Sequence, residues 1–151
     1  IRDTDGNLVY DSGNILDAEA IARGIYDDGR SDDKGVEPEG VELLDLGDRV
    51  LAFVGLERTT KGAVALFDVT DPLAVSFIDM IVTDGDIAPE GIKAFEMDGA
   101  YFLAIANEVS NTTTVYGLAP VPEAETWAML LAGLGLVGLA ARRRRVRFGA
   151  A

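Results

Sequence analysis

The sequence repeats itself with an offset of 51 residues. Pro38-Glu39-Gly40-Val41 aligns without a gap on Pro89-Glu90-Gly91-Ile92, and Val64 aligns on Val115 in the same frame. Between them, 51–57 aligns on 102–108, so that both segments end in a glutamate. A fixed period of this length is typical of folds that stack one supersecondary unit on the next.

Each unit has the pattern of short β-strands separated by turns. The predicted strands are 40–46, 49–57, 63–69 and 74–82 in the first unit, and 91–97, 101–108 and 112–118 in the second. Gly47-Asp48 predicts a hairpin turn, and the long apolar content of 49–57 predicts a strand buried on both faces. Four antiparallel strands in about fifty residues match one blade of a β-propeller.

We therefore predict an all-β fold, with a partial β-propeller of about two four-stranded blades over 1–118. Its repeat units are 38–88 and 89–118. Ahead of them, 6–13 has the pattern of an outer strand of a preceding blade, and 15–26 that of a short helix with Asn14 as its N-cap. Because two blades leave apolar sheet faces and edges open, we expect either that further blades precede Ile1 or that the chain oligomerises.

The composition excludes several kinds of chemistry. The 151 residues contain no Cys and no His, which rules out thiol and imidazole catalysis and leaves oxygen ligands for any metal. All 26 acidic side chains lie at or before Glu125, where only eight basic ones accompany them, so 1–125 carries a net charge of −18. A body this acidic repels phosphate backbones and is not expected to bind nucleic acid.

The C-terminal part has a different character. An apolar run without charged side chains covers 127–141, directly before Arg142-Arg-Arg-Arg145. With Trp127 and the arginines at the interfaces, this run is predicted to be a transmembrane helix, with the basic tail 142–151 on the cytoplasmic side. The preceding segment 119–126 contains two prolines and is predicted to be an exposed spacer.

This tail resembles the PEP-CTERM sorting signal of Gram-negative envelope proteins. The matching residues follow the order of that signal: Val121, Pro122, Glu123, Thr126, Trp127, the Leu/Gly/Ala run, Arg142, Arg143, Arg144 and Arg145. The resemblance implies Sec export and processing by an exosortase-type enzyme. The second proline of the family motif is Ala124 here, which the resemblance marks as a departure affecting the efficiency of processing.

The body is similar to the C-terminal part of choice-of-anchor I proteins. The matching segments are 9–13 (VYDSG), 30–35 (RSDDKG), 37–40 (EPEG), 52–58 (AFVGLER), 67–72 (FDVTDP), 88–91 (APEG) and 106–110 (ANEVS). The resemblance implies a surface propeller, related in appearance to phytase-like and alkaline-phosphatase-like secreted proteins, that is attached through varying C-terminal signals.

The repeated acids are the candidate site residues. Glu39 and Glu90 lie in the Pro-Glu-Gly turn that enters the innermost strand of each unit, and Glu57 and Glu108 end the second strand, so a propeller would gather all four on one face. Carboxylates that close would need a cation, and Ca²⁺ accepts six to eight oxygens. Further ligands would be Asp32, Asp33, Asp86 and Asn107. The alternative is that these acids only accept hydrogen bonds in turns and at strand ends.

Two functions from different classes follow. The first is an exported cell-envelope or surface protein, anchored and processed through its C-terminal signal, whose propeller is a binding module for an unknown surface ligand. The second is a calcium-dependent phosphoesterase, in which Lys34, Arg58 and Lys61 would bind the substrate anion. For those three cations the alternative is local ion pairing.

Overall fold

Alternating apolar residues and turn-forming glycines produce seven β-strands and one α-helix in residues 1–118, the part of the chain that the computed structural model describes. The helix is α1 (Ile15–Ala22), followed by a 3-10 turn at Asp28–Arg30. The strands are β1 (Pro38–Asp45), β2 (Val50–Leu56), β3 (Gly62–Asp68), β4 (Ser76–Thr83), β5 (Pro89–Met97), β6 (Ala100–Asn107) and β7 (Thr112–Leu118).

The strands form two antiparallel sheets in chain order. The first sheet is β1-β2-β3-β4 and the second is β5-β6-β7, so within each sheet strands that follow each other in the chain lie side by side. The predicted strands are confirmed to within a few residues at their ends. The hairpin at Gly47 is also confirmed, because Gly47 has φ +92° and Leu46 N–H donates to Arg49 O at 2.8 Å. Residues 1–118 are thus mainly β, in two sheets that do not close into a barrel.

The two sheets share one pairing register at an offset of 51. Leu44 pairs with Leu51 as Phe95 pairs with Phe102, and Pro38 pairs with Leu56 as Pro89 pairs with Asn107. Both first strands also carry a register shift just after the proline. The Pro-Glu-Gly repeat therefore marks the same structural position in the two sheets.

The alignment of Val64 on Val115 is wrong. Leu56 pairs with Ala63, whereas Asn107 pairs with Thr112, so the turn after the second strand is two residues shorter in the second sheet. The structural counterpart of Val64 is therefore Thr113. A turn can lose residues without disturbing the ladders on either side, and a gapless alignment does not detect such a loss.

A core between the sheets joins them. It is built from the buried residues Leu44, Phe53, Val64, Ala94, Leu103 and Ile105. Because successive strand residues point to opposite faces, these side chains identify the facing surfaces of β1–β3 and β5–β6. Strand β2 is buried on both faces, as its apolar content predicts, since Ala52 and Leu56 contribute to a second core.

The second core lies under α1. Leu16 and Ala20 of the helix pack with Ala52, Ala65 and Met80 of the first sheet. The expectation of a sheet face left open here is wrong over most of that face, because α1 covers it. The helix ends four residues before Tyr26, since Gly24 takes φ +67°, and Asn14 occupies the N-cap position without a side-chain capping hydrogen bond.

Residues 6–13 are not an outer strand: Leu8 makes only an isolated bridge with Arg2, and the chain there folds on itself. The spacer 119–126, the transmembrane helix 127–141 and the basic tail 142–151 lie outside the described residues. Within 1–118, no helix is both long and apolar enough to cross a membrane.

Candidate functional site

Charged side chains gather where β1 begins and β2 ends. Glu57 N–H donates to Glu37 O at 3.0 Å, and Arg58 N–H donates to Val36 O at 3.0 Å, which extends the ladder beyond the strands. Glu37 takes φ +47°, an uncommon conformation for a residue with a Cβ. This bend turns the chain into Pro38 and places residues 37–39 beside residues 57 and 58.

Glu37 is the centre of this cluster. Its side chain is 5% exposed and is surrounded by three cations. Arg30 hydrogen-bonds to Oε1, Lys34 Nζ lies 3.5 Å from Oε2, and Arg58 Nε lies 3.9 Å from Oε1. A buried carboxylate needs such partners, because an unpaired charge there would be costly.

Glu57 is the second buried acid. Arg58 pairs with it, with Nη2 2.7 Å from Oε1. Ligand oxygens of Glu37, Glu39 and Glu57 lie within 4.8 Å of one another, although Glu39 is itself exposed. The two acids from the predicted set that belong to the first unit, Glu39 and Glu57, are thus brought together.

The environment shifts the pKa values of the two buried acids, Glu37 and Glu57, in opposite directions. The hydrogen bond from Arg30 holds the pKa of Glu37 below its ordinary value, and the charges of Arg30 and Lys34 act in the same sense. Burial raises the pKa of Glu57; Arg58 opposes this rise, and the neighbouring Glu39 carboxylate adds to it. Of the two buried acids, Glu57 therefore binds a proton more readily than Glu37.

Three close carboxylates have the donor chemistry that Ca²⁺ requires, which is hard oxygen. In this cluster, however, Arg30, Lys34 and Arg58 already contact Glu37 or Glu57. A cation would hold the free oxygens of Glu39 and Glu57 and would have to displace or share those contacts.

The other two predicted acids lie at the same end of the second sheet. Glu90 begins β5, and its carbonyl lies 2.5 Å from where a Cβ on Gly40 would be, so β1 and β5 begin side by side. Glu108 follows β6 and donates its N–H to Ala88 O at 2.8 Å, just as Glu57 donates to Glu37. Both side chains are exposed, and among the described residues neither belongs to the group of three close acids.

Asp86 and Asn107, two of the additional ligands considered, belong to a separate network. Thr112 and Thr114 donate to the two carboxylate oxygens of Asp86 at 2.6 and 2.5 Å, and Asn107 Nδ2 donates to Thr112 Oγ1 at 3.2 Å. The hydrogen bond from Thr112, and to a smaller extent that from Thr114, keeps the pKa of Asp86 below its ordinary value. This buried carboxylate ties the chain before β5 to β7, which is a structural role.

The remaining candidates are on the surface. Asp32 is exposed, and Asp33 pairs with Arg30 at 3.2 Å. Lys61 Nζ lies 2.7 Å from Asp84 Oδ1. Lys34, Arg58 and Lys61, considered as anion ligands, are thus all engaged in ion pairs within the protein.

Sequence reasoning did not select Glu37 or Arg30 as site residues. Comparing the two repeats does not select Glu37, because its counterpart in the second unit is Ala88. The sequence does hold a signal for this cluster: one acid lies on each side of Pro38, and Arg30 and Lys34 come shortly before them. Which of the nearby acids Arg30 contacts depends on the turn at Asp28–Arg30, and no pattern in the sequence specifies that contact.

Comparisons with known proteins agree with both resemblances. Residues 1–72 match the family model of the choice-of-anchor I domain, and residues 120–145 match the PEP-CTERM protein-sorting motif. The first match includes α1 and the whole charged cluster. No match was found among curated proteins or among solved structures.

Proposed function

From its choice-of-anchor I domain and its PEP-CTERM motif, we propose that this chain is an envelope-anchored binding module with a propeller-type body. The coarser part of this function is established by the two matches: the protein is exported, associated with the cell envelope, and sorted through an exosortase-type enzyme. The body, its binding role and its membrane anchor are the proposed part.

The observation that carries the propeller-type body is the repeated inter-strand geometry. Two sheets of consecutive antiparallel strands share one register at an offset of 51, and their first strands β1 and β5 lie side by side. Consecutive meanders that pack face to face through their first strands have the arrangement of neighbouring blades. This supports a propeller-type repeat.

The binding surface is assigned to the end of the sheets where β1 and β5 begin. Three exposed acids that the structure leaves on this surface are Glu39, Glu90 and Glu108. The neighbouring cations are already paired: Arg30 with Glu37, Arg58 with Glu57, and Lys61 with Asp84. Together with the net charge of −18 over 1–125, this end favours a cationic partner, because opposite charge steers association.

The test of the binding surface compares two triple variants with the same change in charge. The first carries Glu39→Gln, Glu90→Gln and Glu108→Gln. The control carries Asp48→Asn, Asp71→Asn and Asp98→Asn, which lie at the opposite, hairpin end of the sheets. Binding to immobilised poly-lysine should weaken several-fold more in the first variant and should weaken with salt in all chains. Equal weakening in both triples would contradict the assignment.

For the anchor, we propose that 127–141 holds the chain in the membrane until processing, with Arg142 to Arg145 on the cytoplasmic side. Val121, Pro122 and Glu123 would present the recognition sequence, and Trp127 would lie at the interface. This order supports recognition outside the membrane next to the apolar segment. Ala124 is expected to make processing slower than a second proline would.

The experiment expresses the same exported, tagged fusion in a host with and without an exosortase-type enzyme. Ala124→Pro should speed the mobility shift of the tagged protein, and Glu123→Ala should slow it. Replacing Arg142, Arg143, Arg144 and Arg145 by Gln should reduce retention in the membrane fraction. Val146→Gln in the same tail is a control and should change none of these. Processing that is equally fast in hosts with and without the exosortase-type enzyme would contradict the proposal.

Calcium binding is a second candidate, since Glu37, Glu39 and Glu57 do lie within 4.8 Å of one another. We expect CaCl₂ to raise the melting temperature more than MgCl₂ at equal ionic strength, because Ca²⁺ accepts irregular oxygen sets. Glu39→Gln should remove the difference, whereas Glu96→Gln, an exposed acid on β5, should keep it. If Glu39→Gln keeps the calcium effect on the melting temperature, calcium binding at this site is contradicted, and so is a calcium-dependent phosphoesterase that uses it.

A further inference from the structure

A depression of about 480 Å³ lies where α1 ends and the 3-10 turn at Asp28–Arg30 begins. It is lined by Ile21, Gly24, Tyr26, Asp28 and Ser31. The chain turns away from the helix here because Gly24 takes φ +67°, a left-handed conformation that commonly ends helices. A depression of this volume is in the size range of small-ligand sites, which combine apolar walls with a few polar groups.

The depression is held at the end of the first sheet where β1 begins and β2 ends. Tyr26 forms an isolated bridge with Thr59, just beyond β2, and Thr60 N–H donates to Ile25 O at 2.9 Å. Ile25 is 1% exposed and belongs to the core under α1. The segment that lines the depression is therefore fixed to the sheet, at the same end as the exposed acid Glu39.

Two side chains give the depression an apolar wall. Ile21 is 61% exposed, although it is a large aliphatic residue in the last turn of α1. Tyr26 is half-buried and contributes an aromatic ring. An aliphatic chain that lies against both side chains removes apolar surface from water, which favours binding.

The three polar side chains of the depression form one hydrogen-bonded chain. Ser31 Oγ lies 2.9 Å from Asp28 Oδ1 and 3.2 Å from Tyr26 Oη. A serine hydroxyl has a single proton, which the carboxylate accepts, so the phenol is left to donate its own proton to the serine oxygen. Both hydroxyl protons are thus used, and the lining side chains offer a ligand acceptors but no free donor.

Asp28 is the charged group of the depression, and within residues 1–118 no lysine or arginine forms an ion pair with it. The two arginines that flank it in the sequence are paired with other acids: Arg23 with Asp79, and Arg30 with Glu37. The Asp28 carboxylate is therefore available to a cation from outside the protein.

Acceptors, negative charge and an apolar wall together select one class of ligand. Segment 27–33 contains four aspartates and one arginine, so it repels anions. Sugar hydroxyls both donate and accept, and the lining side chains leave no donor for them. A primary ammonium group has three donors, no acceptor and a positive charge. At the end of a lysine side chain it also carries an aliphatic stem that packs on apolar surface.

We propose that this depression binds a primary alkylammonium group, the end of a lysine side chain of a cationic partner. The ammonium contacts Asp28 and Ser31, and the aliphatic stem lies along Ile21 and Tyr26. The inference rests on the proposed binding function, because it names the side chain by which the cationic partner is held. The exposed acids of the binding surface act on the other charges of that partner.

The probe for the test is Nα-acetyl-lysine N-methylamide, whose single charge is on the side chain. It is titrated at neutral pH into the isotope-labelled full chain in mild detergent, and the amide chemical shifts are followed by NMR. Saturable shifts are expected at Gly24 and not at Gly99 in the β5–β6 turn, with a dissociation constant of about 1 mM for a ligand of this size. The norleucine analogue, which keeps an aliphatic stem without the charge, and methyl glucoside should give none.

Two variants with the same change in charge test the contact with the carboxylate. Asp28→Asn should weaken binding of the probe several-fold, because it removes the charge but keeps an oxygen that accepts the Ser31 hydrogen bond. Asp32→Asn changes an exposed acid that does not line the depression, and should have little effect. The chemical shifts of the remaining amides show whether each variant keeps the fold.

The proposal is overturned if the probe causes no saturable shift at Gly24, or if the norleucine analogue or methyl glucoside binds as well. Equal weakening by Asp28→Asn and Asp32→Asn would also overturn it, since it would show general attraction to an acidic surface. Failure of the proposed binding surface is recognised separately. In that case poly-lysine binding does not depend on Glu39, Glu90 and Glu108, whatever the small probe does at the depression.

Discussion

Lys93 Nζ donates to Glu42 Oε1 at 2.6 Å, and these two residues occupy the same position in the two repeats. The same carboxylate oxygen accepts the backbone N–H of Ala94 at 3.1 Å. Lys93 keeps the pKa of Glu42 below its ordinary value. One acid on β1 thus binds both a side chain and the main chain of β5 and fixes the sheets against each other.

Glu42→Ala should destabilise the protein more than Lys93→Ala does. The first change leaves the Ala94 N–H without its acceptor at a buried residue, which costs about 1–3 kcal/mol. The second removes an ion pair whose lysine is 71% exposed, which is worth about 1 kcal/mol or less. Urea unfolding of the three chains measures the difference. Equal losses would show that the main-chain hydrogen bond is unimportant.

Gly55→Ala should lower stability by about 1–3 kcal/mol through overpacking. A Cβ at residue 55 would lie 2.8 Å from Pro89 O and 3.0 Å from Ile92 Cδ1. Ile92→Val in the same chain should restore part of the loss, because it removes one of these atoms. Gly117→Ala on β7 is the matched control, since a Cβ there meets no atom within 4 Å. The melting temperatures of the variants, measured by thermal unfolding with circular dichroism as the probe, provide the comparison.

Glu37→Gln should lower the melting temperature at neutral pH and have little effect in acid. Because the pKa of Glu37 is lower in the folded protein, its charged form stabilises the fold above the ordinary glutamate pKa. That contribution is lost as the pH falls through the folded-state pKa. The two melting curves should therefore converge at low pH, and a constant offset across the range would contradict the assigned ion pairs.

Glu57→Gln should have the opposite pH dependence. Burial raises the pKa of Glu57, so the folded protein binds this proton more tightly than the unfolded chain does. The resulting stabilisation is present below the ordinary pKa and is lost as the pH rises through the folded-state value. Glu57→Gln should remove this loss on going from acid to neutral pH.

Glu39→Gln provides the companion to that experiment. The Glu39 carboxylate contributes to raising the pKa of Glu57, so its neutralisation should reduce the same pH dependence in part. Glu108→Gln, the exposed counterpart of Glu57 in the second sheet, serves as the control and should leave it unchanged. Melting temperatures between pH 4 and pH 7 provide the measurement, and an unchanged profile for Glu57→Gln would contradict the assigned burial effect.

Local patterns in the sequence were sufficient to place the strands. The runs around Leu51–Leu56 and Ala63–Phe67 are apolar and bounded by turn residues, and β2 and β3 lie within a residue or two of the predicted limits. The Pro-Glu-Gly motif marked the starts of β1 and β5 to within two residues, and in both sheets a register shift follows its proline. The sorting motif was also recognisable from residue order alone, and the match over 120–145 agrees.

Contacts between distant segments could not be inferred in this way. Glu37 rather than Glu90 joins Glu39 and Glu57, because the bend before Pro38 and the turn at Asp28–Arg30 bring Arg30 to that carboxylate. Helix α1 covers one face of the first sheet, which the strand pattern marks as apolar without saying what packs on it. Periodicity in a sequence reports which side chains avoid water. The partner of each side chain is selected by packing among segments far apart in the chain, and that selection exists only in the folded protein.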